Sequence, residues 1–129
     1  MRDGTRTATV KGPPAIDIQA ALTVIGRRKK VVAGDNPNLT YAQVPKANLL
    51  NARLRCADLR GANLTETNLT EADLTDANLY GTILPGADLH GANLTRANLH
   101  GADLTPANSH GADLHGASLT SPIRAFLDT

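Results

Sequence analysis

Apolar and polar residues alternate along residues 37–121 in a pattern that repeats every five positions. Each unit reads Ala, then Asn or Asp, then Leu, then two mostly polar residues, as in Ala-Asp-Leu-Thr-Asp at residues 72–76. The segment holds 17 units, and Leu occupies the central position of 15 of them, with Val44 and Ser109 as the exceptions. An internal repeat of this kind predicts a solenoid in which each unit extends one continuous core.

The period of five fits neither an α-helix nor a straight β-strand. In a helix, successive Leu residues would be rotated by about 500° and would reach every face. In a straight strand, an odd period would send successive Leu residues to opposite sides. A short extended segment that ends in a corner keeps every Ala and Leu inside, and four corners of about 90° close a square coil of 20 residues that stacks at about 4.8 Å. We therefore predict an all-β, four-sided β-helix over residues 37–121.

The central Leu side chains should form the core of this β-helix. Each coil would bury four of them, and each buried Leu contributes roughly 1.5–3 kcal/mol. The residue in the fifth position turns the chain, and Gly often occupies it, as at Gly81 and Gly101, because a turn can require a positive φ. The predicted core residues are Leu49, Leu54, Leu59, Leu64, Leu69, Leu74, Leu79, Leu84, Leu89, Leu94, Leu99, Leu104, Leu114 and Leu119.

The order of charged residues supports four units per coil. Outward side chains 20 positions apart should stack, so opposite charges are favoured there and like charges are not. No two acidic and no two basic residues are 20 apart within the repeat, whereas three opposite pairs are: Lys46 with Glu66, Arg53 with Asp73, and Asp76 with Arg96.

These repeats resemble those of the bacterial pentapeptide-repeat family, over about two-thirds of the chain. The resemblance implies a right-handed quadrilateral β-helix with type II and type IV corner turns. Residues 18–28, Ile-Gln-Ala-Ala-Leu-Thr-Val-Ile-Gly-Arg-Arg, are similar to the segment that precedes the repeats in actinobacterial members. Some of those members carry membrane helices further upstream, so whether this chain is a fragment of a longer membrane-attached protein stays open.

The segments outside the repeat are expected to cover its open ends, because an exposed strand edge invites association. We expect disorder over residues 1–13 and a short capping helix followed by a basic loop over residues 14–36. A C-terminal cap, also a short helix, is expected over residues 122–129, with Ser121 as its N-cap and Pro122 in its first turn. The apolar side chains available for the two caps are Ile18, Leu22 and Ile25, and Ile123, Phe126 and Leu127.

Composition narrows the class of protein further. Aromatic residues make up 2% of the 129 residues, as a narrow core of Leu and Ala would allow, and the formal net charge is +1, which does not point to nucleic acid. The single cysteine, Cys56, excludes an internal disulfide framework and leaves a free thiol at an outward corner. The longest apolar stretch, residues 20–25, is far shorter than the roughly 20 residues of a membrane span. We therefore expect a cytoplasmic location and no membrane span.

The candidate catalytic and metal-binding residues do not favour an enzyme. Ser109, His110 and Asp113 have the types of a catalytic triad, but Ser109 occupies an inward position and His110 an outward one. His90 and His110 should stack on one face, yet they supply two of the four ligands of a structural zinc site. Surface histidines in place of the usual Thr are therefore favoured, and we expect no catalytic residue, cofactor or metal.

A few basic, apolar and histidine residues are candidates for a surface that contacts a partner. The basic run Arg27, Arg28, Lys29 and Lys30 leaves peripheral contact with an anionic membrane open, although such a run is more often a solvated loop. Leu50 and Ile83 occupy outward positions, where apolar side chains mark a contact patch or lie under a terminal segment. The outward histidines His90 and His110 complete the set.

Two functional hypotheses follow. The first is a non-catalytic scaffold that binds another protein, of unknown identity and with an open oligomeric state, because a solenoid presents rigid, regular faces. The second comes from the family resemblance: some members mimic the DNA duplex and bind type II topoisomerases such as gyrase, which protects them from quinolones. Residues 37–121 carry five basic and eight acidic residues, and this net charge of −3 is a weak basis for mimicry.

Overall fold

The computed structural model describes residues 36–120, and within this part of the chain there is no helix. Each five-residue unit forms one side of a square coil, and the outward residue before each central position pairs in parallel with its counterpart 20 positions later. In the first coil these pairs are Asn38 with Asp58, Gln43 with Asn63, Asn48 with Asn68 and Arg53 with Asp73, and the spacing is kept through Asn98 and Ser118. The predicted coil of four units is confirmed.

The four sides of the coil stack into four walls, which we number by their central residues. Wall 1 contains Leu39, Leu59, Leu79, Leu99 and Leu119, and wall 2 contains Val44, Leu64, Leu84 and Leu104. Wall 3 contains Leu49, Leu69, Leu89 and Ser109, and wall 4 contains Leu54, Leu74, Leu94 and Leu114. Residues at the same position of units 20 apart form a column on one wall or corner.

Backbone hydrogen bonds tie each unit to the coils on both sides. In the unit around Leu69, the Asn68 N–H donates to a carbonyl in the previous coil at 2.9 Å, and the Leu69 and Glu71 N–H groups donate to carbonyls in the next coil at 2.8 Å. The same three bonds recur along the described repeat, apart from its ends and a shift of partner at Pro106. The scaffold is therefore rigid, because local opening must break bonds to two neighbouring coils.

The corners are type II turns. The carbonyl of each central residue accepts a bond from the N–H three positions later, as between Leu69 and Ala72 at 3.0 Å, and the residue in the fifth position has a positive φ. Seven of these residues are Gly, but eight are not, among them Tyr41 and Glu66. The exception in the described repeat is the corner at Pro106, whose preceding peptide bond is cis, so type II turns predominate over the type IV turns that the resemblance also implied.

The outward Asn or Asp of each unit satisfies the one N–H that neither the coils nor the corner use. Asn68 Oδ1, for example, accepts from the Thr70 N–H at 3.0 Å, and the other units with Asn or Asp there form the same bond. Gln43 and Ile83 break the sequence pattern on wall 2, and in both units the residue two positions later is proline. Since Pro45 and Pro85 carry no N–H, no acceptor is needed in these units.

The interior is an apolar shaft of Leu and Ala. The predicted core leucines from Leu49 to Leu104 are 0–3% exposed, whereas Leu114 and Leu119 in the last coil are half-buried and pack against that core. Thr67 and Thr82 replace Ala at inward positions, and their hydroxyls donate to backbone carbonyls at 3.3 and 2.7 Å. Polar atoms inside the shaft are thus paired, as burial requires.

Several predictions concern residues outside the described range. They are the expected disorder of residues 1–13, the capping helix and basic loop of residues 14–36, of which only residue 36 is described, and the C-terminal cap of residues 122–129. No helix in residues 36–120 has the length and apolar character needed to cross a lipid bilayer.

Candidate functional site

Three of the four predicted surface residues in the described range share one column of wall 3. Leu50, Thr70, His90 and His110 occupy equivalent outward positions, one in each coil, and Leu50 is 51% exposed. Ile83 lies instead on wall 2, and the basic run at residues 27–30 lies outside the described residues. The predicted surface residues therefore do not form one patch.

His90 and His110 stack as their spacing predicts. Their ring centroids are 5.4 Å apart, with an angle of 9° between the ring planes, and both side chains are exposed. Each backbone N–H donates to the outward residue of its own unit, Asp88 or Asn108, at 3.0 and 3.1 Å. The hydrogen-bonded ladder therefore fixes the spacing of the backbone that carries the two imidazoles.

More exposed hydrophobic side chains lie at the corner between walls 1 and 2 than on wall 3. Of the four large hydrophobic side chains that are exposed in residues 36–120, Tyr41, Tyr80 and Ile83 lie at this corner, at 66%, 53% and 40% exposure. Together with Arg60 and His100 on wall 1, they form what we call the aromatic edge. It extends from the first to the fourth coil, about 14 Å at the spacing of stacked strands.

Tyr41 lies in the corner column that continues through Gly61, Gly81 and Gly101. Its ring covers Gly61 so closely that a Cβ there would lie 2.5 Å from Tyr41 Cε1. At Gly81, in contrast, no atom beyond Gly81 and its two chain neighbours lies within 4 Å of the position of a Cβ. The Tyr41 ring is therefore packed over Gly61, whereas no neighbouring coil covers Gly81, which follows the 53% exposed Tyr80.

Tyr80, His100 and Arg60 are held in place along wall 1. The Tyr80 and His100 rings stack with centroids 5.8 Å apart and 20° between their planes. Arg60 donates two hydrogen bonds to the Asp58 carboxylate, at 2.8 and 2.6 Å, and this donation holds the pKa of Asp58 below its usual value. The aromatic edge thus combines ordered Tyr and Arg side chains, the types that dominate the energy of protein interfaces.

The opposite charges predicted to stack do so in two of the three pairs. Arg96 donates two hydrogen bonds to Asp76, at 2.8 and 3.0 Å, which lowers the pKa of Asp76, and Lys46 lies 3.8 Å from Glu66. The third pair, Arg53 and Asp73, is joined through its backbone bridge, and its ion pair stays a prediction. Sequence reasoning missed Arg55, which lies 3.4 Å from Asp76.

The remaining candidates for chemistry are separated. Ser109 is half-buried at an inward position of wall 3, His110 is exposed on the outside of that wall, and Asp113 is outward on wall 4. Cys56 is a half-buried free thiol at the corner between walls 4 and 1. Within residues 36–120, no three His, Cys, Asp or Glu side chains are grouped closely enough to hold a metal ion.

The sequence contained a signal for the aromatic edge that the reasoning from spacing did not use. Tyr80 and His100 are 20 residues apart at equivalent positions, as His90 and His110 are, and Tyr41 precedes Gly61 by the same interval. The repeat predicts Ile83 as an outward residue, but it does not by itself indicate the two tyrosines at the same corner.

Comparison with known proteins agrees with this architecture. A family model described as pentapeptide repeats, in eight copies, matches residues 38–70 and 72–108, more than half of the chain. The search of curated protein sequences gave no match.

Among solved structures, the pentapeptide-repeat protein Rfr23 from the cyanobacterium Cyanothece 51142 is 42% identical, with a TM-score of 0.40 and coverage of 65% of this chain and 60% of that one. HetL, a pentapeptide-repeat protein involved in heterocyst differentiation regulation in Nostoc sp. strain PCC 7120, is 40% identical, with a TM-score of 0.48 and coverage of 62% and 39%. The protein alr5209 from Nostoc PCC 7120 is 36% identical, with a TM-score of 0.39 and coverage of 68% and 88%.

The chain thus spans less than two-thirds of the length of Rfr23 and HetL. The family model, the 20-residue coil and the corner turns describe the same repeat. Members of this family form right-handed β-helices, and the protein belongs to the pentapeptide-repeat family.

Proposed function

We propose that this protein is a non-catalytic scaffold that binds another protein through the aromatic edge. The observation that carries the proposal is the position of Tyr41, Tyr80 and Ile83, three of the four large hydrophobic side chains that are exposed in residues 36–120, along one corner of the coil. Exposed apolar groups that are concentrated in one place mark interaction sites more often than scattered ones do. Aromatic residues and Arg are enriched at protein interfaces, while Lys, Glu and Asp are depleted.

The shape of the edge restricts the kind of partner. Tyr80 is 53% exposed in the turn at a corner of the square coil, and a side chain at an outer corner fits a pocket or groove better than a flat surface. The ladder of hydrogen bonds holds the backbone beneath the side chains, and a preorganised surface loses little conformational entropy on binding. The partner is therefore a protein with an apolar groove that receives the edge lengthwise.

The test uses substitutions taken from the same columns, which preserve the repeat. Tyr80→Thr follows Thr40, Tyr41→Gly follows Gly61, and Leu50→Thr on wall 3 follows Thr70 and serves as the control. Proteins captured from a lysate of the source organism are compared for the wild type and each variant. A specific partner is expected to be lost with Tyr80→Thr and Tyr41→Gly and kept with Leu50→Thr; capture that is equal for all variants contradicts the proposal.

DNA mimicry with binding to gyrase is the less favoured function. Of the eight acidic residues in the repeat, Asp58, Glu66 and Asp76 form ion pairs with basic side chains, which reduces the uniform negative surface that mimicry needs. A supercoiling assay separates the two proposals. We expect no effect on gyrase at excess protein, and inhibition or protection from a quinolone would favour mimicry instead.

A further inference from the structure

We propose that His90 and His110 form a binding site for a divalent late transition-metal ion, such as Zn²⁺ or Cu²⁺, on wall 3. The site is independent of the aromatic edge, which lies between walls 1 and 2. Two imidazoles are too few for a structural zinc site, which is why the sequence favoured no metal here. An exchangeable ion needs only these two ligands, because water completes its coordination and the fold does not depend on it. Imidazole is a common ligand for these metals.

The two imidazoles lie close enough together to reach one ion. With a Zn–N distance of about 2.0–2.1 Å, two imidazoles in a tetrahedral complex have centroids about 5.1 Å apart. The His90 and His110 centroids are 5.4 Å apart. The ring planes are nearly parallel at present, so the nitrogens converge on one ion only after the rings rotate about their side-chain bonds. Both side chains are exposed to solvent, so the rotation does not disturb the packed core.

The backbone holds the two ligands together before the ion arrives. The Gly91 N–H donates to the His110 carbonyl at 3.0 Å, directly beside the two side chains. Asp88 Oδ1 accepts both the His90 N–H at 3.0 Å and the Asn108 side-chain amide at 3.0 Å, which links the two units a second time. Because the separation is fixed in advance, binding does not have to order the backbone.

The other two histidines provide internal controls. His100 stacks on Tyr80, and His115 follows Thr95 in its column on wall 4, so each is a single imidazole. A second tethered ligand acts at an effective concentration in the millimolar range. We therefore expect the paired site to bind at least about tenfold more tightly than either single histidine.

The experiment is a calorimetric titration of the untagged full chain with ZnCl₂ and, separately, CuCl₂. The expected result is one ion per chain, with Cu²⁺ bound more tightly than Zn²⁺, as imidazole sites generally require, and no binding of Mg²⁺, which prefers oxygen ligands. His90→Thr and His110→Thr should each weaken binding at least about tenfold. His100→Thr, which removes a histidine from wall 1, should leave the affinity unchanged.

Thr is a suitable replacement because Thr70 occupies the same column, and circular dichroism checks that each variant stays folded. A gain-of-site variant completes the test: Thr95→His places a second imidazole 20 residues before His115 and should raise the stoichiometry to two ions per chain. The proposal is overturned if the wild type binds neither ion, if His90→Thr and His110→Thr bind as the wild type does, or if Thr95→His adds no site.

Discussion

The cost of truncating a core leucine should depend on the coil in which it lies, even within one column. Leu74 and Leu114 occupy the same position of wall 4, two coils apart. Leu74 is fully buried between neighbouring coils, whereas Leu114 is half-buried in the last described coil. Leu74→Ala and Leu114→Ala therefore remove the same atoms from the same kind of site, and their comparison isolates the effect of burial.

The magnitude follows from the packing around each side chain. At Leu74 the cavity cannot collapse, because the Leu74 N–H bonds to the next coil at 2.7 Å and the Asp73 N–H to the previous one at 2.9 Å. We therefore expect Leu74→Ala to lower the free energy of unfolding by about 3 kcal/mol, within the range for buried leucines. Leu114→Ala should lower it by about 1 kcal/mol, since a half-buried side chain has less apolar area to lose.

The assay is equilibrium unfolding in urea, followed by far-ultraviolet circular dichroism. With a slope on the order of 1–2 kcal/mol/M, the two variants should differ in midpoint by about 1–2 M. His115→Ala, an exposed side chain next to Leu114, is the control and should change stability by less than about 0.5 kcal/mol. Equal losses for the two leucines, or a loss below about 1 kcal/mol for Leu74→Ala, would refute the reasoning from burial.

Three further predictions concern the outward positions. Asn68→Ala should lower the free energy of unfolding by about 1 kcal/mol, because it removes the acceptor of the Thr70 N–H. Gln43→Ala should lower it clearly less, because Pro45 has no N–H to satisfy. Equal losses of stability in thermal unfolding would contradict this. Gly81→Ala should lower the free energy of unfolding by about 1 kcal/mol because of its φ of +65° alone. Gly61→Ala should lower it more in the wild type, because the Tyr41 ring blocks the new Cβ, and by the same amount as Gly81→Ala once Tyr41 is also replaced by Gly. Arg60 and Arg96 lower the pKa values of Asp58 and Asp76, so the two ion pairs stabilise the fold at neutral pH and this contribution is lost as the pH falls through the folded-state pKa values, below about 3.9. In the double variant Arg60→Ala with Arg96→Ala, the urea midpoint should therefore fall less steeply at acidic pH than in the wild type. An unchanged pH dependence of the urea midpoint would count against the ion pairs.

The 20-residue coil and its inward leucines could be predicted from the sequence, because the repeat leaves one geometry that buries every central residue. The role of the outward Asn and Asp could also be foreseen from their short side chains. The exceptions on wall 2 could have been explained as well, since Gln43 and Ile83 each precede a proline by two residues. The link between these residues and the prolines becomes clear only when each backbone N–H is assigned a hydrogen-bond partner.

Other features depend on the three-dimensional neighbours and could not be read from one unit. Leu114 and Leu119 fit the repeat as well as Leu74 does, but their burial requires a layer on each side, which the described last coil has on one side only. The aromatic edge depends on residues in different units that meet at one corner. Tyr41, for example, covers Gly61 across a coil boundary, and only the stacking of coils places its corner column next to that of Tyr80.

The coil of 20 residues, on which every column and both proposed sites depend, can be tested with the native thiol of Cys56. Asp76→Cys places a second thiol one coil away in the same corner column, at a Cα separation of about 4.8 Å, within the range of about 4.4–6.8 Å that a disulfide requires. Glu71→Cys places it 15 residues from Cys56 at a different corner. Mild oxidation of the monomer should form an internal disulfide in Asp76→Cys and not in Glu71→Cys; the reverse outcome, or a disulfide in neither variant, would contradict the four-sided coil.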